Sequence, residues 1–356
     1  MPSIVAVRTA SPPYKFDQND VRRLAGRLFS DASFDVAQMQ AVFANTTIRE
    51  RYFCVDMDWF EEDRGFAQKN RIYQEKGVEL AERAISDVCR SAGISPQEVD
   101  HIFFISSTGV ATPSLDAHLF NRLKFKESIL RTPIWGLGCG GGIAGIGRAS
   151  DWLKAYPDKT ALIVCLELCG LTFIRNDLSK SNFIAASLFA DGCGAVIMVG
   201  DRHAGTQNPV HGLSIEGTGS VTWQDSLDVM GWEIADEGFK VLFSKSIPDI
   251  VRQSARSAVM QLLEPHGLSL KDIRYFLAHP GGAKVIEAYQ QALNLEEWQL
   301  KSMREVLAAF GNMSSATVLF VIEHFLRSSD YRKGDRVLST ALGPGFFSEM
   351  VLARCL

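Results

Sequence analysis

The 356-residue chain is 46% apolar and 22% charged, an ordinary globular composition with room for two core-sized units. A net charge of -4 with Lys and Arg scattered gives no footing for nucleic acid or an anionic membrane, and no apolar run approaches the roughly 18 residues of a membrane span. Seven irregularly spaced cysteines, seven dispersed histidines and no C-x-x-C pair argue for thiols in a reducing, cytoplasmic compartment, without disulfide framework or metal site.

Residues 4–7 read as a first strand, too short an apolar run for a secretory signal, and Ser11-Pro-Pro-Tyr14 ends it with turn chemistry. Helical patterns follow over 17–29 and 34–43, then an extended stretch over 48–55. A long amphipathic helix is predicted over 66–89, with Val78, Ala81, Ile85 and Val88 on one face and Gly93 as its stop. Ser95-Pro96 opens a short helix, and 101–106 is an apolar strand ending in Ser106-Ser-Thr-Gly109. Further on, 160–166 and 195–199 read as buried strands, so the first half alternates strand and helix as a layered α/β unit does.

Between these elements lies Trp135-Gly-Leu-Gly-Cys-Gly-Gly-Gly-Ile-Ala-Gly-Ile-Gly147. A strand end over 132–135 feeds it, and Ile143, Ile146, Ala149, Trp152 and Leu153 then recur at helical spacing. Cys139 therefore stands at a helix N-terminus, where free N–H groups and the helix dipole favour an anion, so its thiol is expected below the free value of about 8.5. That points to a nucleophile, although a buried structural cysteine is the commoner use of the residue. The same glycines match G-x-G-x-x-G from Gly136 and from Gly140, with Glu167 downstream, the pattern of a dinucleotide-binding turn. Against that rival, the motif lies deep in the chain and its feeding strand is short.

The second half repeats the first. Gly93-Ile-Ser-Pro-Gln-Glu-Val-Asp-His-Ile-Phe-Phe-Ile105 lies without a gap over Gly267-Leu-Ser-Leu-Lys-Asp-Ile-Arg-Tyr-Phe-Leu-Ala-His279, 174 residues further on. At an offset of 173, Gly138-Cys139 meets Gly311-Asn312, each followed by small residues and a helix, the second over 314–325. Strand 160–166 corresponds to 336–342, each after a Tyr-led turn at Tyr156 or Tyr331. The inference is two similar halves, 1–205 with the cysteine and 206–356 with His279 and Asn312, each with its own sheet. Pseudo-symmetry puts equivalent strand ends and helix starts in one place, so Cys139, His279 and Asn312 are expected together. Singly, His279 before Pro280-Gly-Gly282 is a satisfied histidine and Asn312 a helix N-cap. Three such residues at corresponding points favour a reactive site.

At these residues the chain resembles the thiolase superfamily and, within it, the type III polyketide synthases of the chalcone and stilbene synthase family. The motifs are Gly138-Cys139-Gly140, Ala278-His279-Pro280-Gly281-Gly282, Gly311-Asn312-Met313-Ser314-Ser315-Ala316 and Leu342-Gly343-Pro344-Gly345. The likeness extends through Ser106-Ser-Thr-Gly109, Glu167-Leu-Cys-Gly-Leu-Thr-Phe173 and Leu188-Phe-Ala-Asp-Gly192. The resemblance implies an α/β thiolase fold, five-layered αβαβα, built from two duplicated halves. It implies that Cys139 accepts the acyl group, that His279 and Asn312 form the decarboxylation site and oxyanion hole, and that Phe189 is a gatekeeper between CoA tunnel and cavity. Thr112, Cys169, Thr172, Val241, Gly343, Pro344 and Gly345 are the further substrate-binding positions. An acyl-CoA starter and malonyl-CoA are the implied substrates, with no cofactor or metal, and a Thr112 loop that reaches the partner's cavity implies a homodimer.

The departures from the plant members shape the substrate expectation. Their basic residues for the CoA phosphates precede Arg51-Tyr52 on a helix that here reads Gln38, Ala41 and Asn45, leaving Arg49 and Arg51 as candidates. Val241 falls where plant enzymes place a second gatekeeper phenylalanine, and Cys169 where they often have threonine. With the Thr112-Pro113 turn, these features look more like bacterial members that make alkylpyrones or alkylresorcinols from fatty acyl-CoA, the activity expected here. A β-ketoacyl-ACP synthase III shares Cys-His-Asn, but Leu342-Gly-Pro-Gly345 and Met313 favour the polyketide family. A thiolase would need a second cysteine better placed than Cys355, and a hydroxymethylglutaryl-CoA synthase a glutamate near the nucleophile better than Glu127 or Glu167. A non-catalytic thiolase-fold homologue would have no need of all three reactive residues.

Overall fold

The strands are β1 (Ser3–Ala10), β2 (Tyr14–Asp17), β3 (Glu50–Phe53), β4 (His101–Ile105), β5 (Leu130–Ile134), β6 (Thr160–Leu168), β7 (Asp191–Val199), β8 (Leu213–Thr222), β9 (Met230–Ala235), β10 (Gly238–Phe243), β11 (Tyr275–Ala278), β12 (Arg336–Gly343) and β13 (Phe347–Cys355). The computed structural model describes residues 1–204, 212–328 and 330–356, so the boundary expected at 205/206 lies outside the described residues. A nine-stranded mixed sheet runs β11-β12-β13-β8-β1-β7-β6-β4-β5. Outward from its centre, β1-β7-β6-β4 and β8-β13-β12-β11 are one arrangement: two antiparallel pairings, then a parallel one. The duplication seen in the sequence is thus present in the topology.

Two separate sheets were expected; the structure joins them. Ser3 and Ile4 of β1 pair with Ser214 and Leu213 of β8. A sequence repeat shows what each half folds into and carries no signal for pairing between halves, whereas unpaired N–H and C=O rows at two adjacent edges satisfy one another.

Successive residues of β6 point into different cores, as a strand's period of two requires. Ala161, Ile163 and Cys165 join one core, Leu162, Val164 and Leu166 the other, and this two-sided burial explains the unbroken apolar run. In the first core, helices Gly141–Ala155 and Thr317–Ser328 lie between the two halves of the sheet and touch strands of both. Helix Phe66–Ala92 covers the opposite face of β1, β6 and β7, and helix Ile247–Leu263 covers β8 and β13, completing five layers. The long helix ends where expected, on Gly93 at φ +66. The repeat also reproduces its caps: Ser95 with Glu98 and Ser269 with Asp272 form equivalent capping boxes ahead of β4 and β11.

Candidate active site

Cys139 is the middle residue of the 3-10 turn Gly138–Gly140, which leads into helix Gly141–Ala155, and is 6% exposed. Gly138 holds φ +47, and a Cβ there would stand 2.8 Å from Pro344 Cδ, so conformation and space both demand glycine. A Cβ on Gly343 would stand 2.6 Å from Leu137 O; the Gly343-Pro344 turn is packed directly on the cysteine turn. The Gly138 N–H donates to Ser107 Oγ at 3.1 Å. The glycines that follow serve packing: a Cβ on Gly142 would lie 2.5 Å from Ser315 O, and one on Gly145 2.8 Å from Ile105 Cδ1. No cradle for a pyrophosphate exists there, so the dinucleotide reading has no support.

Asn312 follows helix Lys301–Phe310 and Gly311. Its N–H donates to Leu188 O and its C=O accepts from Ala190 N, both at 2.9 Å, so its backbone straddles Phe189. The side chain is held at both ends: Oδ1 accepts from Ser314 N at 2.9 Å, and Nδ2 donates to Gly281 O at 3.0 Å. One amide hydrogen is left over. Ser314, at φ +47, adopts a conformation that side chains other than glycine seldom take, and its Oγ lies 3.5 Å from Cys139 Sγ. His279 leaves β11 with its N–H donating to Thr340 O at 2.8 Å, while both ring nitrogens are buried without a hydrogen-bond partner. Cys139, Ser314, Asn312 and Gly281 thus form one connected series ending two residues from His279.

Beneath this floor Glu167 accepts from Ser107 N at 3.0 Å and Thr108 Oγ at 2.9 Å on one oxygen, and from Ser315 Oγ at 2.5 Å on the other. Burial pushes its carboxyl up to about 7. Burial also pushes the Cys139 thiol up to about 12, opposed by the Ser314 hydroxyl and reinforced by the charge of Glu167, and pushes the His279 imidazole down to about 3. This corrects the acidified thiol expected from the sequence. The helix end favours a thiolate, but removing water from a lone buried charge outweighs it.

A cavity of about 240 Å³ opens onto Cys139, walled by Ser107, Trp135, Ser314, Pro344, Gly345 and the β9–β10 hairpin. Phe189 and Val241 divide it from an inner cavity of about 60 Å³, walled by Leu24, Leu28, Phe29, Phe53, Phe60, Cys169 and Thr172 among others. Phe189, Val241, Cys169, Thr172, Pro344 and Gly345 therefore each wall one or both cavities, while Gly343 packs behind the cysteine turn. Thr112, preceding a cis Pro113, is exposed and lines neither cavity.

Residues not singled out from the sequence also shape the site. Phe243, two residues beyond Val241 on the same strand face, meets Phe189 with ring centroids 5.5 Å apart, and Trp232 on the paired strand lies at 5.9 Å. The apolar stretches flanking Asp236-Glu237-Gly238 were the available hairpin signal. Arg51 requires a correction. It is 1% exposed and cannot meet CoA phosphates at the surface, whereas Arg49 is exposed. The Arg51 Nη1 donates to Ala186 O at 2.8 Å and Phe189 O at 2.7 Å, which anchors the backbone of the gate. Among the described residues no helix is long and apolar enough to cross a membrane, and no group of three His, Cys, Asp or Glu could hold a metal ion.

The family models for chalcone and stilbene synthases match nearly the whole chain, the N-terminal domain over residues 2–202 and the C-terminal domain over 223–356. A chalcone synthase-like protein of Bacillus subtilis (strain 168) is 40% identical over 359 residues, spanning 99% of this chain and 98% of its own. The 1,3,6,8-tetrahydroxynaphthalene synthase of Streptomyces peucetius subsp. caesius is 36% identical over 356 residues, 99% of this chain and 93% of its own. The crystal structure of 1,3,6,8-tetrahydroxynaphthalene synthase from Streptomyces coelicolor A3(2), a bacterial type III polyketide synthase, superposes with a TM-score of 0.93 at 27% identity, covering 99% of each chain.

Proposed function

The chain belongs to the chalcone and stilbene synthase family and is a type III polyketide synthase, and from that premise we propose that it extends a long-chain fatty acyl-CoA starter with malonyl-CoA and closes the product to an alkylpyrone or alkylresorcinol. Cys139 is the acyl acceptor. Its proton passes to His279, and thiolate and imidazolium formed together escape much of the penalty that burial lays on either charge alone. The thiolate attacks the starter thioester, the bond from the acyl carbon to the CoA sulfur breaks, and CoA leaves as its thiol, taking the proton back from the His279 imidazolium. Malonyl-CoA then loses CO2, and the electron pair of the broken bond becomes an enolate. The unpartnered His279 ring and the spare Asn312 amide hydrogen are the donors for its oxygen. The enolate carbon attacks the Cys139 thioester, a carbon–carbon bond forms, the carbon–sulfur bond breaks, and the thiolate is regenerated. Because CO2 departure makes the carbanion, CoA thioesters suffice as substrates and no cofactor is required.

The observation that carries the long-chain reading is that an apolar inner cavity lies immediately behind Phe189 and Val241; at about 60 Å³ it is small, and a long acyl chain held on Cys139 enters it only as those two side chains swing aside. Incubation with labelled malonyl-CoA and short, aromatic and long-chain acyl-CoA starters, with Cys139→Ala in parallel, tests it. Long-chain pyrones or resorcinols, lost in the variant, are expected; turnover confined to short or aromatic starters refutes the reading. A second reading, formation of a polyhydroxynaphthalene, has in its favour the 36% identity to a tetrahydroxynaphthalene synthase, and the same reaction without added starter checks it.

A cytoplasmic homodimer fits this function. Among the described residues β5 is the end strand of its sheet, and Leu130 (50% exposed) on it, Trp135 (48%) just beyond it and Val110 (39%) beside the Gly109 carbonyl that Trp135 Nε1 donates to present apolar surface for a second copy. A monomer in sedimentation at micromolar concentration would refute the dimer.

A further inference from the structure

Among the described residues, the inner cavity has one cationic wall residue, Arg51. Arg51 is buried, and its two hydrogen bonds to Ala186 O and Phe189 O both come from Nη1, while Nε and Nη2 are buried with no partner. Its stem is fixed, since a Cβ on Gly311 would stand 2.9 Å from both Cγ and Cδ. Asp191 acts on it through space but offers its oxygens elsewhere, accepting from Cys54 N at 2.8 Å and Gly170 N at 2.7 Å. The neighbouring polar groups of the wall are likewise engaged: Thr172 Oγ donates to Cys169 O, and Asn182 Nδ2 donates to Ile174 O and Asp177 O. Burial moves the guanidinium down to about 9 against the opposing pull of the Asp191 charge, and its central carbon lies 5.5 Å from the centre of the Phe53 ring, so the fold carries a dehydrated cation with two unused donors beside a cavity walled mostly by carbon.

Holding the gate does not explain the unused donors, since a single nitrogen makes both gate contacts. A ligand oxygen would engage them. The guanidinium has already lost its water, so an arriving carboxylate adds only its own desolvation and gains a charge-assisted bond from a planar donor suited to it. We infer that the inner cavity recognises an acyl chain whose far end bears a hydrogen-bond-accepting oxygen, a carboxylate first of all, through the free N–H groups of Arg51. The inference rests on the proposal that the acyl chain enters this cavity, and it narrows the substrate class from plain fatty acyl to oxygen-tipped acyl chains.

The test compares starters of matched length, methyl-ended acyl-CoA and ω-carboxyacyl-CoA, across medium and long chains with malonyl-CoA as extender. For wild type, kcat/KM is expected to favour the carboxylate-ended form by about 10- to 100-fold at the one or two lengths that reach Arg51, and to lose that advantage at shorter lengths. Arg51→Met, which also removes the two bonds to the gate carbonyls, is expected to lower kcat/KM for both forms and to bring their ratio to about one, and Arg51→Lys to restore part of that ratio. Should Arg51→Met fail to fold, the wild-type length dependence decides alone. Methyl-ended chains accepted with no carboxylate advantage at any length, or an advantage that survives Arg51→Met, overturn the assignment to Arg51. Rejection of every medium and long chain in both forms overturns entry into the inner cavity, and this inference with it.

Discussion

Replacing Glu167 by glutamine removes a buried charge while keeping its hydrogen bonds. The oxygen that accepts from Ser107 N and Thr108 Oγ becomes the amide oxygen, and the other position becomes an NH2 that can donate to Ser315 Oγ. Burial raises this carboxyl from 4.5 to about 7, a penalty on the ionised form of about 3 kcal/mol. Because the folded-state value lies above the unfolded one, the associated stability is fully present below about pH 4.5 and is lost as pH rises to about 7. Glu167→Gln has no such loss. In urea unfolding across this range the variant should exceed wild type by about 3 kcal/mol at pH 8, with the gap closing towards pH 4.5. The charge of Glu167 also raises the Cys139 thiol, so iodoacetamide should modify Cys139 faster in the variant at neutral pH. A stability difference independent of pH, or a variant weaker than wild type at pH 8, would refute the reasoning.

If thiolate and imidazolium form together, His279→Ala should move the pH midpoint of Cys139 alkylation upward by roughly two units or more, since the sulfur loses its proton acceptor while burial still opposes its charge; equal midpoints would count against the pair. Asn312→Ala removes one enolate donor and should lower kcat for malonyl-CoA decarboxylation about 100- to 1,000-fold with far less change in KM. Val241→Phe places a ring in the wall between the two cavities, and product masses should shift to shorter starters. Gly138→Ala forces a side chain into φ +47 and onto Pro344, so about 2 kcal/mol of stability, read from unfolding midpoints, should be lost along with activity.

The three candidate positions were legible because each lies at a turn whose chemistry is local. Gly138 is demanded by its φ, Gly281 and Gly282 follow His279 without a helix, and Gly311 leads into Asn312. Their placement at corresponding turns was legible because the chain is a duplication, and β4 and β11 do occupy equivalent places. Less legible was the hairpin over Met230–Ala235 and Gly238–Phe243. The family resemblance directed attention to Val241 alone, and only alternation along the strand brings Phe243 to the same face.

What the sequence by itself determined is the fold, the family and the turns that carry the candidate reactive residues, since turn glycines, apolar runs and an internal repeat are written in neighbouring residues. Tertiary structure alone decided their electrostatic state and the shape of the space before them. Whether Cys139 is easy to ionise depends on how much water the surrounding layers exclude, and that exclusion is the sum of many distant side chains. Arg51 shows the same limit. It stood among the candidates for a surface phosphate, yet its guanidinium lies against the carbonyl of Phe189, 138 residues away in sequence, and no local pattern reports a burial that only long-range packing creates.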